Sequence, residues 1–301
     1  MKKDKILIAL GGNAILQPGQ EATFERQLAN VSSCCKWLAP LAQKATMAIT
    51  HGNGPQVGNL ILQQELASEQ IPPMPFDVCG AYTQGLIGYM LQQSLQSYGV
   101  SKTVCTLTQV EVSPDDPAFS NYTKPVGGFY SKAESDLLER DKDWHMMEDS
   151  GRGYRRVVPS PEPKYILEHE AIADMLDKDY TIVACGGGGI PVKKEADGTY
   201  TGVEAVIDKD RTAALLGKTI KSDKLIFITE VDNVFLNFGK PDAKKLETVT
   251  LDEMQSYLDA GHFGKGSMEP KVAAALDYVR ETGGTAIICS LETISRAPDG
   301  E

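Results

Sequence analysis

No apolar run in this 301-residue chain approaches the roughly 18 residues that a membrane-spanning helix needs. The start does not resemble a secretory leader either. Lys2 and Lys3 precede only Ile6-Leu7-Ile8-Ala9-Leu10 before two glycines end the run. Cysteine is sparse: Cys34, Cys35, Cys79, Cys105, Cys185 and Cys289 are scattered, with no Cys-x-x-Cys pair. They read as reduced interior residues, and the protein as cytoplasmic. Positive charge is short as well, with 30 Lys and Arg against 41 Asp and Glu, a formal charge of −11. The field of the whole molecule therefore repels nucleic acid and anionic membranes, which makes both unexpected partners.

Several catalytic signatures are missing too. The chain has no G-x-x-x-x-G-K-[ST] loop and no G-x-S-x-G elbow. The four histidines show no metal-ligand spacing, and Glu168-His169-Glu170 reads as an exposed helix face. No direct metal motif is present. What is present is ordinary globular composition, 42% hydrophobic and 24% charged, which rules out a disordered or collagen-like chain. At this length about three-quarters of the unfolded surface can be buried.

The recurring pattern is a short apolar run, then glycines, then a helical spacing. Strands are expected at Lys5 to Leu10, Thr46 to Thr50, Lys102 to Val112, Thr181 to Cys185, Lys224 to Ile228 and Thr285 to Cys289. Helices are expected over Glu25 to Leu41, Pro55 to Ser68, Cys79 to Tyr98, Tyr165 to Leu176, Arg211 to Thr219 and Met268 to Thr282. Residues 113–163 break the rhythm with six prolines and crowded charges, and read as an inserted, protruding subdomain. The alternation implies an α/β fold with helices on both faces of the sheet.

In such sheets ligands lie beyond the carboxyl ends of the strands. Three strands here end in glycine turns: Gly11-Gly12-Asn13, Gly52-Asn53-Gly54 and Gly186 to Gly189. Glycines admit close backbone approach, and helix starts offer unpaired N–H donors, so the pattern suits an anionic, phosphate-bearing ligand. The remaining polar constellation is Lys124, Asp208-Lys209-Asp210 and Lys271. Taken singly these read equally well as a loop charge, a solvated turn and a surface lysine. Phosphoryl transfer, however, needs charge compensation more than covalent chemistry, and converging lysines would supply it.

Longer stretches carry a resemblance: Ala9-Leu10-Gly11-Gly12-Asn13-Ala14, Thr50 to Gly58, Asp116-Pro117-Ala118-Phe119, Thr123 to Gly127, Gly151 to Val158, Gly186 to Val192, Ala205 to Asp210, and Gly266-Ser267-Met268 with Pro270-Lys271-Val272. Together they resemble the carbamate kinases of the amino acid kinase family, in order and over nearly the whole chain. The resemblance implies one domain over residues 1–301, a three-layer α/β/α sandwich on a mostly parallel sheet of about eight strands. It also implies a homodimer and reversible transfer between ATP and carbamate, giving ADP and carbamoyl phosphate. That reaction is usually run toward ATP in arginine or purine-derivative breakdown, with Mg²⁺ carried on the nucleotide phosphates. Gly11, Gly12, Asn13, Gly52, Asn53 and Gly54 would cradle the phosphoryl group and carbamate, with Lys124 reaching over from the subdomain. From about residue 180 onward, Gly187, Gly188, Asp208, Lys209, Ser267, Met268 and Lys271 would hold the nucleotide. Lys209 would stabilise the moving phosphoryl group, and Asp210 would orient the lysines. Two alternatives are a kinase of another small carboxylate and a sensor that binds without turnover.

The chain departs from the family pattern at Gly128, Glu230, Phe235 and Glu269. It also ends at Glu301, ahead of the Gly-Thr-containing final strand that the resemblance leads one to expect. Arg152, Arg155 and Arg156 are expected to form salt bridges inside the subdomain rather than touch ligand.

Overall fold

The computed structural model describes residues 3–149, 151–264 and 266–294. The chain opens with β1 (Lys5–Leu10), α1 (Phe24–Lys44), β2 (Thr46–His51), α2 (Gly54–Ala67), α3 (Phe76–Ser97), β3 (Thr103–Cys105) and β4 (Gln109–Val112). It continues with β5 (Lys124–Tyr130), α4 (Lys132–Lys142), β6 (His145–Glu148), β7 (Tyr154–Val158), β8 (Pro163–Ile166), α5 (His169–Asp177) and β9 (Thr181–Val183). Next come β10 (Ile190–Lys194), β11 (Tyr200–Gly202), α6 (Lys209–Ile220) and β12 (Lys224–Thr229). The last elements are β13 (Phe235–Leu236), β14 (Lys244–Lys245), α7 (Leu251–Asp259), α8 (Met268–Thr282) and β15 (Thr285–Ser290).

β1 shows why the sheet is central. Ile6, Ile8 and Leu10 face one way while Leu7 and Ala9 face the other, and all five are buried. A strand apolar on both faces belongs inside a parallel sheet covered by helices. The order is β15-β12-β1-β2-β9-β3, every pair parallel. One face packs on α1 and α3 through Val31, Leu38, Ile87 and Leu91. The other packs on α5, α6 and α8 through Leu176, Leu216 and Tyr278. The result is the expected α/β/α sandwich.

The central sheet has six strands among the described residues, where about eight were expected. Four others form a second sheet, β11-β10-β4-β8, that mixes parallel and antiparallel pairs. The reason lies partly in Lys102 to Val112, which is two strands rather than one. Its first half (β3) pairs with β9 in the central sheet, and its second half (β4) pairs with β10. The expected helix from Tyr165 also begins later. Tyr165 pairs with Glu111 in β8, and the chain turns helical only at His169. Residues 295–301 lie outside the described residues.

Within residues 113–163 the chain makes its own sheet, β5-β7-β6, with α4 beside it. Val126 and Val158 pack on Val57, Ile61 and Phe76 at the start of α2 and α3. Ion pairs of Lys142 with Glu65, and of Arg156 with Glu204, add to that dock. All six cysteines are free, five buried and Cys105 half-buried. No helix among the described residues is long and apolar enough to cross a membrane.

Candidate active site

β1, β2 and β9 are neighbours, so the three glycine turns that follow them converge on one crevice. The Gly11 N–H donates to Ile228 O (3.2 Å) and the Gly52 N–H to Leu10 O (3.1 Å), both continuing the sheet ladder. Those two groups are therefore spent. The N–H groups of Gly12, Asn13, Asn53 and Gly54 meet no acceptor among the described residues, and these four remain for a ligand. A Cβ at Gly52 would stand 3.2 Å from Gly12 N and 3.5 Å from Lys209 Cδ, so this glycine lets two turns and a lysine meet. Gly187 sits at φ +67°, where a side chain is strained, and a Cβ there would overlap the Asn53 amide.

Asp208-Lys209-Asp210 is the start of α6 rather than a solvated turn. Asp208 caps the helix: its Oδ1 accepts from the N–H of Asp210 (2.9 Å) and of Arg211 (3.4 Å). Its other oxygen takes Lys124 Nζ from β5 at 2.9 Å. Burial alone would push the Asp208 carboxyl up, but the Lys124 ammonium and the capping N–H outweigh it and hold the group at about 2. Asp210, 4% exposed, accepts from Lys209 Nζ at 2.5 Å and from Lys271 Nζ at 3.1 Å. Burial lowers the Lys209 ammonium below the usual lysine range, and Lys271 pushes the same way while Asp210 supports the charge. Thr212 Oγ1 donates to Gly188 O (2.9 Å), which ties this helix to the third glycine turn.

Residues 4–290 match the amino acid kinase family. The chain belongs to that family. A carbamate kinase of Thermococcus kodakarensis is 46% identical, over 99% of this chain and 97% of that protein. Carbamate kinase 3 of Staphylococcus aureus is 48% identical over the same shares. The solved carbamate kinase from Giardia lamblia bound to AMP-PNP superposes with a TM-score of 0.93 at 41% identity, over 99% of this chain and 96% of that one.

As a member of the amino acid kinase family the protein is a kinase, and its sequence-picked residues fall into two groups. Gly11, Gly12, Asn13, Gly52, Asn53, Gly187, Gly188, Lys124, Asp208, Lys209, Asp210 and Lys271 are linked by the contacts above. Ser267 and Met268 lie at the entry to α8, where Ser267 O accepts from Lys271 Nζ at 3.3 Å. Gly54, exposed, opens α2 and joins the crevice only through its unpaired N–H.

Of the departures, Glu230 is built into this crevice, since its Oε1 accepts from Asn13 Nδ2 at 2.5 Å, and Glu269 lies in the first turn of α8. Gly128 is exposed in β5, and Phe235 pairs across to Lys245. The arginines divide. Arg152 and Arg155 pair with Asp149 within residues 113–163, whereas Arg156 reaches Glu204 outside that stretch and stacks on Trp144 (4.4 Å).

Sequence reasoning missed three residues beside the crevice. Glu168, read as exposed, accepts from Gln109 N (2.8 Å) and Nε2 (2.9 Å). Thr83 takes the Asn53 Nδ2 bond at 2.8 Å. His51 is 1% exposed, and burial depresses it to about 4, so it stays neutral and donates Nδ1–H to Gly52 O (3.0 Å). The Lys209 ammonium acts on His51 in the same downward direction, and none of the described His, Cys, Asp and Glu side chains group in threes fit to hold a metal ion.

Proposed function

We propose that the protein transfers a phosphoryl group reversibly between ATP and carbamate, giving ADP and carbamoyl phosphate, and works mainly toward ATP. The observation that carries this reading is the pairing of Lys209 and Lys271 on one buried carboxylate, Asp210, beside four unpaired N–H groups. Carbamate already presents an anionic oxygen, so no general base is needed. The barrier lies in bringing two anions together, and preorganised cations and N–H donors lower it most where water is excluded. Lys209, whose stem lies against Gly52, stabilises the moving phosphoryl group. Lys271 holds the terminal phosphates of the nucleotide, with Gly187, Gly188, Ser267 and Met268 on that side. Lys124 covers the carbamoyl group, leaving Asp208 for the substrate anion as the subdomain closes. The division near residue 180 follows, with carbamoyl contacts before it and nucleotide contacts after.

Mg²⁺ enters as part of the nucleotide substrate. Both carboxylates of the cluster are already engaged by lysines, which fits an ion carried on phosphate oxygens rather than in a protein cage. The direction toward ATP is favoured because carbamoyl phosphate is a mixed anhydride, a strong phosphoryl donor. We also infer a homodimer. Tyr89 and Leu107, 55% and 57% exposed, line a cavity of about 530 Å³ between α3 and the β3–β4 connection, together with Gln92, Gln93 and Gln96. Two large exposed apolar side chains with glutamine amides around them suit a second copy of the chain.

The test is ATP formation from ADP, Mg²⁺ and carbamoyl phosphate, with Lys271→Ala beside the unaltered protein. Turnover that falls at least about 100-fold in the variant supports the reading. A protein that binds ADP but produces no ATP from carbamoyl phosphate would overturn it.

A further inference from the structure

Asn53 caps α2, yet its side chain makes no capping hydrogen bond. An asparagine in that place ordinarily turns its carbonyl oxygen back to the first helical N–H groups. Here the amide is held otherwise. The Thr83 hydroxyl donates to Gly80 O (2.6 Å), so its oxygen is left to accept, and Asn53 Nδ2 fills it at 2.8 Å. That bond fixes which end of the amide is which. Oδ1 accepts nothing among the described residues, although Asn53 is only 8% exposed. Its place is also fixed. The amide lies against Gly187, where any side chain would overlap Nδ2, Cγ and Oδ1 alike, and Gly52 before it touches Gly12 and the Lys209 stem.

A lone acceptor thus stands among the unpaired N–H donors of Gly12, Asn13, Asn53 and Gly54. The donors can meet phosphoryl and carboxyl oxygens. The acceptor can meet only an N–H or O–H of the substrate, and phosphate and carboxylate groups ionised at neutral pH have none. We propose that Asn53 Oδ1 accepts a hydrogen bond from the amino group of carbamate and carbamoyl phosphate, and so selects them over acetate and acetyl phosphate. The inference rests on the carbamate reading above and names the atom that enforces it. Acetyl phosphate has nearly the same shape, with a methyl group in place of the amino group. Bound in the same way, it strands Oδ1 without water or partner, and a buried acceptor left unpaired disfavours binding. Thr83 acts one step back, as a positioning residue that keeps Nδ2 turned away from the substrate.

The experiment compares carbamoyl phosphate and acetyl phosphate as phosphoryl donors to ADP. Where acetyl phosphate turnover is below detection, its inhibition constant against carbamoyl phosphate replaces it. The unaltered enzyme should favour carbamoyl phosphate by at least about tenfold in kcat/KM. Asn53→Leu should reduce that preference about tenfold or more, whatever its overall activity. Thr83→Val keeps the amide but frees it to turn, and should reduce the preference several-fold with KM for carbamoyl phosphate rising. Equal losses on both donors, in either variant that folds, would reduce Asn53 to a structural cap and overturn the proposal. So would an unaltered enzyme that makes no distinction. Absence of any turnover with carbamoyl phosphate would instead count against the carbamate reading itself.

Discussion

Asp210→Asn exchanges one atom and removes the carboxylate charge that two ammonium groups share. At separations of 2.5 and 3.1 Å, an effective dielectric of about 20 gives roughly 5–7 kcal/mol of gross attraction for each pair. Relaxation of the amide and entry of water recover most of it. If only about a fifth survives as net loss, about 1.4 kcal/mol remains, a tenfold change in the protonation constant of a lysine. Lys209 is the sensitive partner, because burial already lowers it and Asp210 is the largest counterweight. Its charge should therefore be lost at lower pH in the variant, and activity should fall on the alkaline side. The assay is ATP formation from carbamoyl phosphate across pH 6 to 9.5, with thermal denaturation checked in parallel. The rate at pH 9 relative to pH 7 should drop further than in the unaltered enzyme, by up to about tenfold. Overall kcat should be about 100-fold lower or worse. A variant that keeps the parent's pH profile and loses less than about threefold in rate would refute the role of Asp210 as a charge partner.

Lys124→Met should lower stability by about 2 kcal/mol near neutral pH, since the Asp208 carboxyl is held at about 2, below its ordinary 3.8. A depressed carboxyl stabilises the fold above its unfolded pKa and stops doing so as pH falls through the folded one. The gap between the two proteins in urea titrations should thus close between about pH 4 and pH 2, and a gap that persists below pH 2 would count against the pair. For the dimer, Tyr89→Asp together with Leu107→Asp should halve the mass seen by light scattering; an unchanged mass would move the interface elsewhere.

Much of the central sandwich was legible because its strands are apolar on both faces and glycines follow them directly. α8 runs from Met268 to Thr282, the expected limits, because Gly283 stops it in a left-handed turn at φ +67°. The split of Lys102 to Val112 was hidden, since Val104 and Val110 are equally apolar and nothing local says that they enter different sheets. Two signals were present but unread. Thr250 and Glu253 form a capping box before α7, and Asp197-Gly198 marks the β10–β11 hairpin. The crevice was legible as a set of motifs, but not as a set of committed and uncommitted atoms. Thr83 lies 30 residues from Asn53, and Glu230 lies 217 from Asn13. No spacing rule joins such pairs, and only the sheet order brings them together.

The lysine cluster has a kinetic consequence for a chain this acidic. Three ammonium groups against two carboxylates leave the lysine cluster formally positive, with Glu230 on Asn13 as the crevice's third carboxylate, inside a molecule of net charge −11. An approaching nucleotide or acyl phosphate is repelled at long range and captured only at short range. Salt screens the first effect over a Debye length of about 8 Å, but reaches the second poorly because the lysines are enclosed. Moderate salt should therefore speed arrival of the substrates while it also speeds their departure. Turnover limited by capture would then rise before it falls along a salt titration, a shape that neither the net charge nor the pocket alone would produce.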